Sequence, residues 1–335
     1  MMAAKGERLT RKVQDILACA PGHMGVSIRL AGKGSLVEID SCEQFPLASV
    51  YKVPLLATLF HKVDVKKLSL DKRLVLKEVD KSLGSGDLQY FKSGVRLTLH
   101  DLCHLMIVHS DNTATDMVHR YVGLEEPNRY MHELGLSSID IYCPCREYFL
   151  IFLGWARQFK GKSLGEIARI WKRMSRDERV DMFDQIRRET RNRTAQEAQA
   201  LALKLWGVSD EKETKEIRDA SAVMDNLGSP NDIARLLELI VTNKVAPSRL
   251  TKQMIDYMLL CDARERIPAK LPAGVLVANK TGSVPGTVND SAIVFASRKN
   301  TVLCACFSRD VKYSEQKAAQ DAIAEIGLLA YKAFR

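Results

Sequence analysis

Hydrophobic positions along the chain follow a helical period in some parts and a strand period in others. Near the start, helical spacing over 7–19 precedes two alternating segments, 24–30 and 35–39, and the glycine-containing connection between them predicts a hairpin. An apolar helix is predicted within 45–62, beginning near Ala48 or Ser49. Helical spacing then dominates the chain, and the further helices predicted are 99–109, 112–121, 127–134, several amphipathic segments across 150–222, and 231–241.

After Pro272 the period changes to two, which predicts the strands 273–279, 291–296 and 302–307. A stripe of apolar residues at steps of three and four predicts a closing helix over 314–334. Two early and three late strands can form one five-stranded antiparallel sheet flanked by the terminal helices. We therefore expect an α+β fold, in which residues 1–47 and 223–335 form a discontinuous sheet domain. Residues 48–222 form an inserted helical domain.

Composition and charge exclude several classes of protein. The 335 residues are 46% hydrophobic and 27% charged, which is typical of globular domains rather than of disordered or coiled-coil chains. The net charge of +9 is spread along the chain and suits an anionic small-molecule substrate. Because no basic patch is interleaved with aromatic residues, nucleic acid is not an expected partner. No apolar run approaches the roughly 20 residues of a membrane span.

The expected compartment rests on the cysteines and the first residues. Eight cysteines are few for a disulfide framework at this length, so we expect reduced thiols. Residues 1–20 carry charges throughout and lack the apolar core of a signal peptide. We expect a cytoplasmic protein, or a periplasmic or secreted one if a native leader is missing from this sequence. The pattern leaves the oligomeric state open.

Candidate chemistry begins at Ser49-Val50-Tyr51-Lys52, at the start of the apolar helix. Positions i and i+3 share a helix face, so the Lys52 amine can reach the Ser49 hydroxyl and act as its base. The same spacing recurs elsewhere, for example at Ser69 and Lys72 in a charged stretch. What distinguishes Ser49 is its apolar surroundings, which would bury the pair.

Two further motifs follow in order. Ser110-Asp111-Asn112 lies between two predicted helices, where an N-cap is the alternative interpretation. Lys280-Thr281-Gly282-Ser283 lies at the end of a predicted strand, where a turn glycine is the alternative. The order S-x-x-K, S-D-N, K-T-G resembles the motif set of class A β-lactamases and penicillin-binding proteins. The segments around the motifs also resemble class A enzymes, over about residues 7–147 and 222–334.

The resemblance implies a β-lactamase/transpeptidase-like fold and a role for each motif residue. Ser49 would be the nucleophile, Lys52 its base or proton relay, and Ser110 the group that passes the proton to the leaving nitrogen. Asn112 would bind a side-chain amide of the substrate. The remaining expected groups are Lys280, Thr281, Gly282 and Ser283 for a substrate carboxylate, and the backbone N–H groups of Ser49 and Ser283 for the oxyanion.

The chain also departs from the family pattern. Glu147 falls near the position of the glutamate that activates the deacylating water, but Ile151 stands where the pattern has asparagine. Glu147 is thus either a catalytic residue or a partner of Arg146 or a helix cap. The arginine frequent near the K-T-G strand is not found at 288–290, so carboxylate binding would rest more on Lys280.

The family also lacks about 70 residues corresponding to 151–222, which form either a lid over the cleft or an inert elaboration. His100 and His104 have a metal-compatible spacing but no third ligand, so neither a metal nor a cofactor is expected.

Three functions remain open. The first is a class A β-lactamase-type serine hydrolase that opens a β-lactam or related cyclic amide through an acyl-enzyme on Ser49. The second is a peptidase, amidase or esterase of the same fold. The third is a protein that is acylated once by a β-lactam and held.

Overall fold

The computed structural model describes residues 2–65, 67–205 and 214–335. The strands are β1 His23–Leu30, β2 Gly34–Ile39, β3 Phe45–Pro46, β4 Arg73–Val75, β5 Arg96–Thr98, β6 Leu227–Gly228, β7 Val277–Val284, β8 Thr287–Ser297 and β9 Asn300–Arg309. The helices are α1 Met2–Leu17, α2 Lys52–Asp64, α3 Leu99–Val108, α4 Asn112–Val122, α5 Glu126–Glu133, α6 Cys145–Phe152, α7 Leu164–Arg173, α8 Arg176–Glu189, α9 Ala195–Leu205, α10 Lys215–Met224, α11 Pro230–Val241, α12 Ser248–Leu259 and α13 Gln316–Phe334.

Five strands form one antiparallel sheet in the order β2-β1-β9-β8-β7. The early hairpin therefore joins the late strands through the pairing of β1 with β9, in which Val26 lies opposite Cys306. This arrangement confirms the predicted α+β class and the antiparallel sheet. The two outer strands are β2, from the start of the chain, and β7, which carries the K-T-G motif.

The two faces of the sheet bury different hydrophobic cores. One face packs against α1 and α13, with Val13, Val26, Ile323 and Ile326 in the shared core. The other face packs against the helical part of the chain, where Leu303 and Phe307 share a core with α2, α3, α4, α11 and α12. Alternation along each strand produces these two faces, because successive side chains of a strand point in opposite directions. The division into domains at 47/48 and 222/223 stays a prediction.

Some elements differ from the sequence expectation in their bounds, and one helix was not expected. The predicted strand 273–279 is shifted, because β7 begins at Val277 and continues through the whole K-T-G motif to Val284. The alternation of apolar and polar residues did not predict this continuation, because Lys280 and Thr281 are buried although their side chains are polar. The apolar helix over 45–62 starts instead as a 3₁₀ turn, Ala48–Tyr51, and becomes α-helical at Lys52. Helix α12 was not predicted.

The predicted helical insertion has a hydrophobic core of its own. Phe159, Trp171, Phe183 and Ile186 are fully buried in it. This core also includes Tyr142, Tyr148 and Leu150, so the inserted helices α7 to α10 pack against α6 and the segment before it. Part of the predicted block, 206–213, lies outside the described residues. Throughout the described ranges, no helix has both the length and the apolar character needed to cross a membrane.

Replacing Phe183 by alanine is expected to lower the free energy of unfolding by about 3–5 kcal/mol, because a buried aromatic side chain leaves a cavity. Its ring centroid lies 5.6 Å from that of Trp171 and 6.1 Å from that of Tyr142. Denaturant unfolding measures the loss. Leu203→Ala, at a position 53% exposed, is the matched control and should cost less than about 0.5 kcal/mol. Equal losses in the two variants would contradict the proposed core.

Candidate active site

The turn that carries Ser49 is held in a strained conformation. Ala48, the residue before it, has φ of +44°, in the left-handed region that non-glycine residues seldom adopt. Its backbone N–H donates a hydrogen bond of 2.6 Å to the carboxylate of Asp225. Behind the turn, β7 approaches so closely that a Cβ on Gly282 would lie 2.6 Å from Leu47 O and 3.1 Å from Ser49 N. The glycine of the K-T-G motif therefore allows the strand to contact the nucleophile's turn.

Lys52 is fully buried at the start of α2. Its Nζ donates to Ser110 O at 2.6 Å, to Ser110 Oγ at 3.1 Å and to Asn112 Oδ1 at 2.8 Å. Burial lowers the pKa of this lysine because the charged form loses its hydration, and the nearby Asp111 and Asp116 oppose the shift. A lysine with a lowered pKa is suited to accept the proton of a serine hydroxyl.

Lys280 meets the same hydroxyl from the other side. Its Nζ donates to Ser110 Oγ at 3.0 Å and to Thr281 O at 3.0 Å. Burial lowers the pKa of Lys280 to about 8, and the positive charge of Lys52 contributes. Ser110 itself has φ of +55°, which is a strained backbone for a serine. One residue of each motif thus takes part in the hydrogen bonds at a single oxygen, Ser110 Oγ.

The S-D-N segment has a structural role as well. Asp111 is the N-cap of α4, because its side chain accepts a hydrogen bond of 2.8 Å from Ala114 N. Asn112 donates to Leu83 O at 2.7 Å while its Oδ1 accepts from Lys52. The predicted N-cap and the predicted site residues are therefore compatible, since different members of the motif fulfil each role.

A cavity of about 210 Å³ opens beside Ser49. Three of the predicted site residues line it: Ser49, Asn112 and Ser283. Much of the remaining wall is apolar or aromatic and is formed by Tyr148, Phe149, Val284 and Pro285. Cys145 also lines this space, and its Sγ lies 3.0 Å from the hydroxyl of Tyr51.

An arginine missed by the sequence analysis supports the substrate side of β7. Arg266 is 4% exposed, and its guanidinium donates to Gly282 O at 2.8 Å, to Ser283 Oγ and to Asn289 O. Arg266 therefore places a guanidinium beside β7 although 288–290 contain no arginine, and carboxylate binding by Lys280 stays a prediction. Arg266 lies in an irregular segment 14 residues before Lys280, and no pattern in the sequence marks it.

Glu147 is not brought to the cavity with the other predicted residues. It is fully buried in α6, and its Oε2 lies 2.6 Å from Arg120 Nη2. Arg146 Nη1 is 4.0 Å from its other oxygen. The adjacent backbone is fixed by Asp116, whose carboxylate accepts from the N–H groups of Cys145 and Arg146 at 2.8 Å each. This geometry supports the alternative of a structural ion pair, with Arg120 rather than Arg146 as its main partner.

The inserted helices support the wall of the cavity rather than covering its mouth. Among described residues of 151–222, none lines the cavity. Ser221 of α10 instead lies 2.6 Å from the hydroxyl of Tyr148 and so holds that ring from behind. The lid hypothesis therefore has no support in the described part of the insertion.

Among the residues that the structure describes, no group at this site is arranged to hold a metal. In the part of the chain that the structure describes, one group of three side chains could hold a cation: His23, Asp40 and Glu43. Glu43 is already paired with Arg309 at 2.7 Å. The histidines with metal-compatible spacing, His100 and His104, both pack edge-on against the ring of Tyr257.

This fold and the arrangement of the three motifs are typical of the penicillin-recognising serine enzyme family. Comparison with known proteins agrees: the model of the beta-lactamase enzyme family matches residues 8–334. The chain belongs to the β-lactamase enzyme family, as its three motifs indicate. Beta-lactamase VEB-1 of Pseudomonas aeruginosa is 24% identical over 141 residues, covering 41% of this chain and 47% of that protein. The chain therefore spans about half the length of this curated relative.

Solved structures show the same fold over nearly the whole chain. A β-lactamase from Chitinophaga pinensis DSM 2588 has a TM-score of 0.71 at 22% identity, covering 98% of this chain and 100% of that one. A mutant of PBP-A, solved as an acyl-enzyme complex with penicillin G, has a TM-score of 0.70 at 21% identity, with coverages of 98% and 96%. These similarities confirm the predicted β-lactamase/transpeptidase-like fold.

Replacing Gly282 by alanine is expected to reduce acylation of Ser49 at least about tenfold and to cost about 1–3 kcal/mol of stability. The added Cβ meets the backbone of the nucleophile's turn, which must then shift. Covalent labelling with a fluorescent penicillin and thermal unfolding measure the two effects. Gly165→Ala in α7 is the control, because its Cβ would meet only the flexible side chain of Glu216. Normal labelling of the Gly282 variant would show that the close contact is not needed.

Proposed function

We propose that this protein is a serine acyl hydrolase that forms an acyl-enzyme on Ser49 with a β-lactam or a related cyclic amide. The observation that carries the proposal is the convergence of Lys52 and Lys280 on Ser110 Oγ beside the cavity that Ser49 lines. A neutral amine at Lys52 takes the proton of Ser49, directly or through a bridging water, as Oγ attacks the carbonyl carbon. The mutant of PBP-A that forms an acyl-enzyme with penicillin G supports this chemistry on the same fold.

The remaining motif residues bind and polarise the substrate in this proposal. The N–H groups of Ser49 and Ser283 form the oxyanion hole, which is supported by the close approach of β7 to the turn at Ser49. Ser110 returns the proton to the leaving nitrogen. Lys280, Thr281 and Ser283 bind a carboxylate, with Arg266 holding the Ser283 hydroxyl, and the Asn112 amide binds the acyl side chain.

A second candidate function is a protein that is acylated and releases the acyl group slowly. The ion pair between Glu147 and Arg120 favours it, because that glutamate is not available to a water in the cavity. A peptidase, amidase or esterase with the same nucleophile is the third alternative, and its substrate would have to fit the small, partly aromatic cavity.

A chromogenic cephalosporin separates these functions. Continuous hydrolysis supports the lactamase, a stoichiometric burst supports the once-acylated protein, and absence of reaction supports a different acyl substrate. Ser49→Ala is expected to abolish both burst and turnover, a loss of at least about 1,000-fold, because the nucleophile is removed. Ser69→Ala is the matched control, since Ser69 and Lys72 share the S-x-x-K spacing but Ser69 is exposed. Any hydrolysis surviving in Ser49→Ala would overturn the nucleophile assignment.

The kcat/KM for a carboxylate-bearing substrate is expected to fall as the pH rises above about 8. The Lys280 ammonium loses its proton there, so the charged fraction drops about tenfold for each pH unit beyond its pKa. The methyl ester of the same substrate lacks the anion and should not show this decrease. Stopped-flow or steady-state assays from pH 6.5 to 9.5 compare the two. Parallel profiles for acid and ester would contradict carboxylate binding by Lys280.

A further inference from the structure

We propose that Asp225 is the general base that activates the water releasing the acyl group from Ser49. This inference rests on the proposed function, because it concerns the second half of that reaction. Glu147 is held by Arg120. Of the described residues that line the cavity, only Asp225 carries a carboxyl group. No sequence motif marks Asp225, which directly follows α10, three residues beyond the predicted insertion.

A short ladder of backbone hydrogen bonds places Asp225 beside the nucleophile's turn. Strands β3 and β6 pair with Phe45 opposite Gly228, and Leu47 N donates to Asn226 O at 2.8 Å. Continuing this antiparallel register brings Asp225 opposite Ala48. The Asp225 Oδ2 accepts from Ala48 N at 2.6 Å, and Oδ1 accepts from Asn226 N at 2.9 Å. Because Ser49 is the next residue, about 3.8 Å along the chain, a water on this carboxylate can reach an acyl group on Ser49.

The carboxylate retains the capacity to bind that water. Each ionised carboxyl oxygen has two lone-pair sites, and in Asp225 each oxygen has one protein donor. Burial raises the pKa of Asp225 to about 7, while the two N–H donors oppose the rise. A base with such a pKa is ionised over much of the neutral range and still basic enough to take a proton from water.

The titratable groups facing Asp225 do not compete with it near neutral pH. They come from α6 and the segment before it: Tyr142, Cys143, Cys145 and Tyr148. Burial raises the pKa of each of these hydroxyl and thiol groups, so all four stay neutral. An ionisation near pH 7 that disappears in Asp225→Asn is therefore expected from Asp225 rather than from these four groups.

The release step balances with these groups alone. Asp225 takes one proton from the water, and the water oxygen forms a bond to the ester carbonyl carbon of acyl-Ser49. The bond between that carbon and Ser49 Oγ then breaks, and the proton held by Asp225 passes to Oγ. The products are a free carboxylic acid, the serine hydroxyl and the Asp225 carboxylate.

The experiment measures acylation and release separately. Wild type and Asp225→Asn are mixed with a chromogenic cephalosporin, and the acyl-enzyme is followed by intact-protein mass spectrometry. Asparagine can still accept from Ala48 N, so acylation should change less than about threefold. Release should slow at least about 100-fold, the usual contribution of a general base, and the acyl-enzyme should accumulate. In wild type, release should also slow about tenfold for each pH unit below 7, and this dependence should disappear in Asp225→Asn.

Two further variants test whether Asp225 acts chemically. Asp225→Glu keeps a carboxylate in the cavity and should recover part of the release rate, which a purely structural role would not predict. Asp219→Asn removes an exposed carboxylate of the neighbouring helix α10 and should behave as wild type. Release from Asp225→Asn at the wild-type rate, or a wild-type acyl-enzyme as persistent as that of the variant, overturns the inference. A wild type that is never acylated overturns the proposed function itself.

Discussion

The site depends on two buried lysine amines that share one hydroxyl oxygen. Lys52 and Lys280 are both fully buried, and both donate to Ser110 Oγ. Burying a charged amine is costly unless it is hydrogen-bonded, so Ser110 must hold its position and the lysines must lose part of their basicity. The same constraint that lowers the lysine pKa values suits Lys52 to its proposed role as a base. Loss of hydration on burial therefore explains both the cost of placing these amines in the interior and the proposed basic role of Lys52.

The backbone around that cluster is strained. Ala48 and Ser110 both have positive φ values. Strand β7 can approach the turn at Ser49 closely because Gly282 has no side chain. Such conformations persist when the surrounding structure determines them more strongly than the local preference opposes them. The sheet, the pairing of β3 with β6 and the carboxylate of Asp225 supply that support. Asp225 thus stabilises the strained turn and is also the proposed base for release of the acyl group.

The inserted helices contribute to the site from a distance. Their core includes Tyr142, which lies next to the cavity, and Tyr148, which lines it, and Asp225 directly follows the end of α10. Glu147 falls near the position of the deacylating glutamate in the family pattern. Here it lies in α6 and forms an ion pair with Arg120. In the proposed release step, a carboxylate that directly follows α10 would perform the reaction in place of that glutamate.

The sequence by itself determined the sheet, the terminal helices and the residues Ser49, Lys52, Ser110 and Lys280, because periodicity and short motifs are local properties of the chain. It misplaced the start of β7, since burial of Lys280 and Thr281 breaks the usual link between polarity and exposure. It could not find Arg266 or Asp225, and it could not choose between the roles of Glu147. Each of these depends on which side chain meets a partner from a distant segment: Arg266 with Ser283, Asp225 with Ala48 and Glu147 with Arg120. Only tertiary packing decides such pairs, because their energy comes from burial and contact that no local pattern encodes.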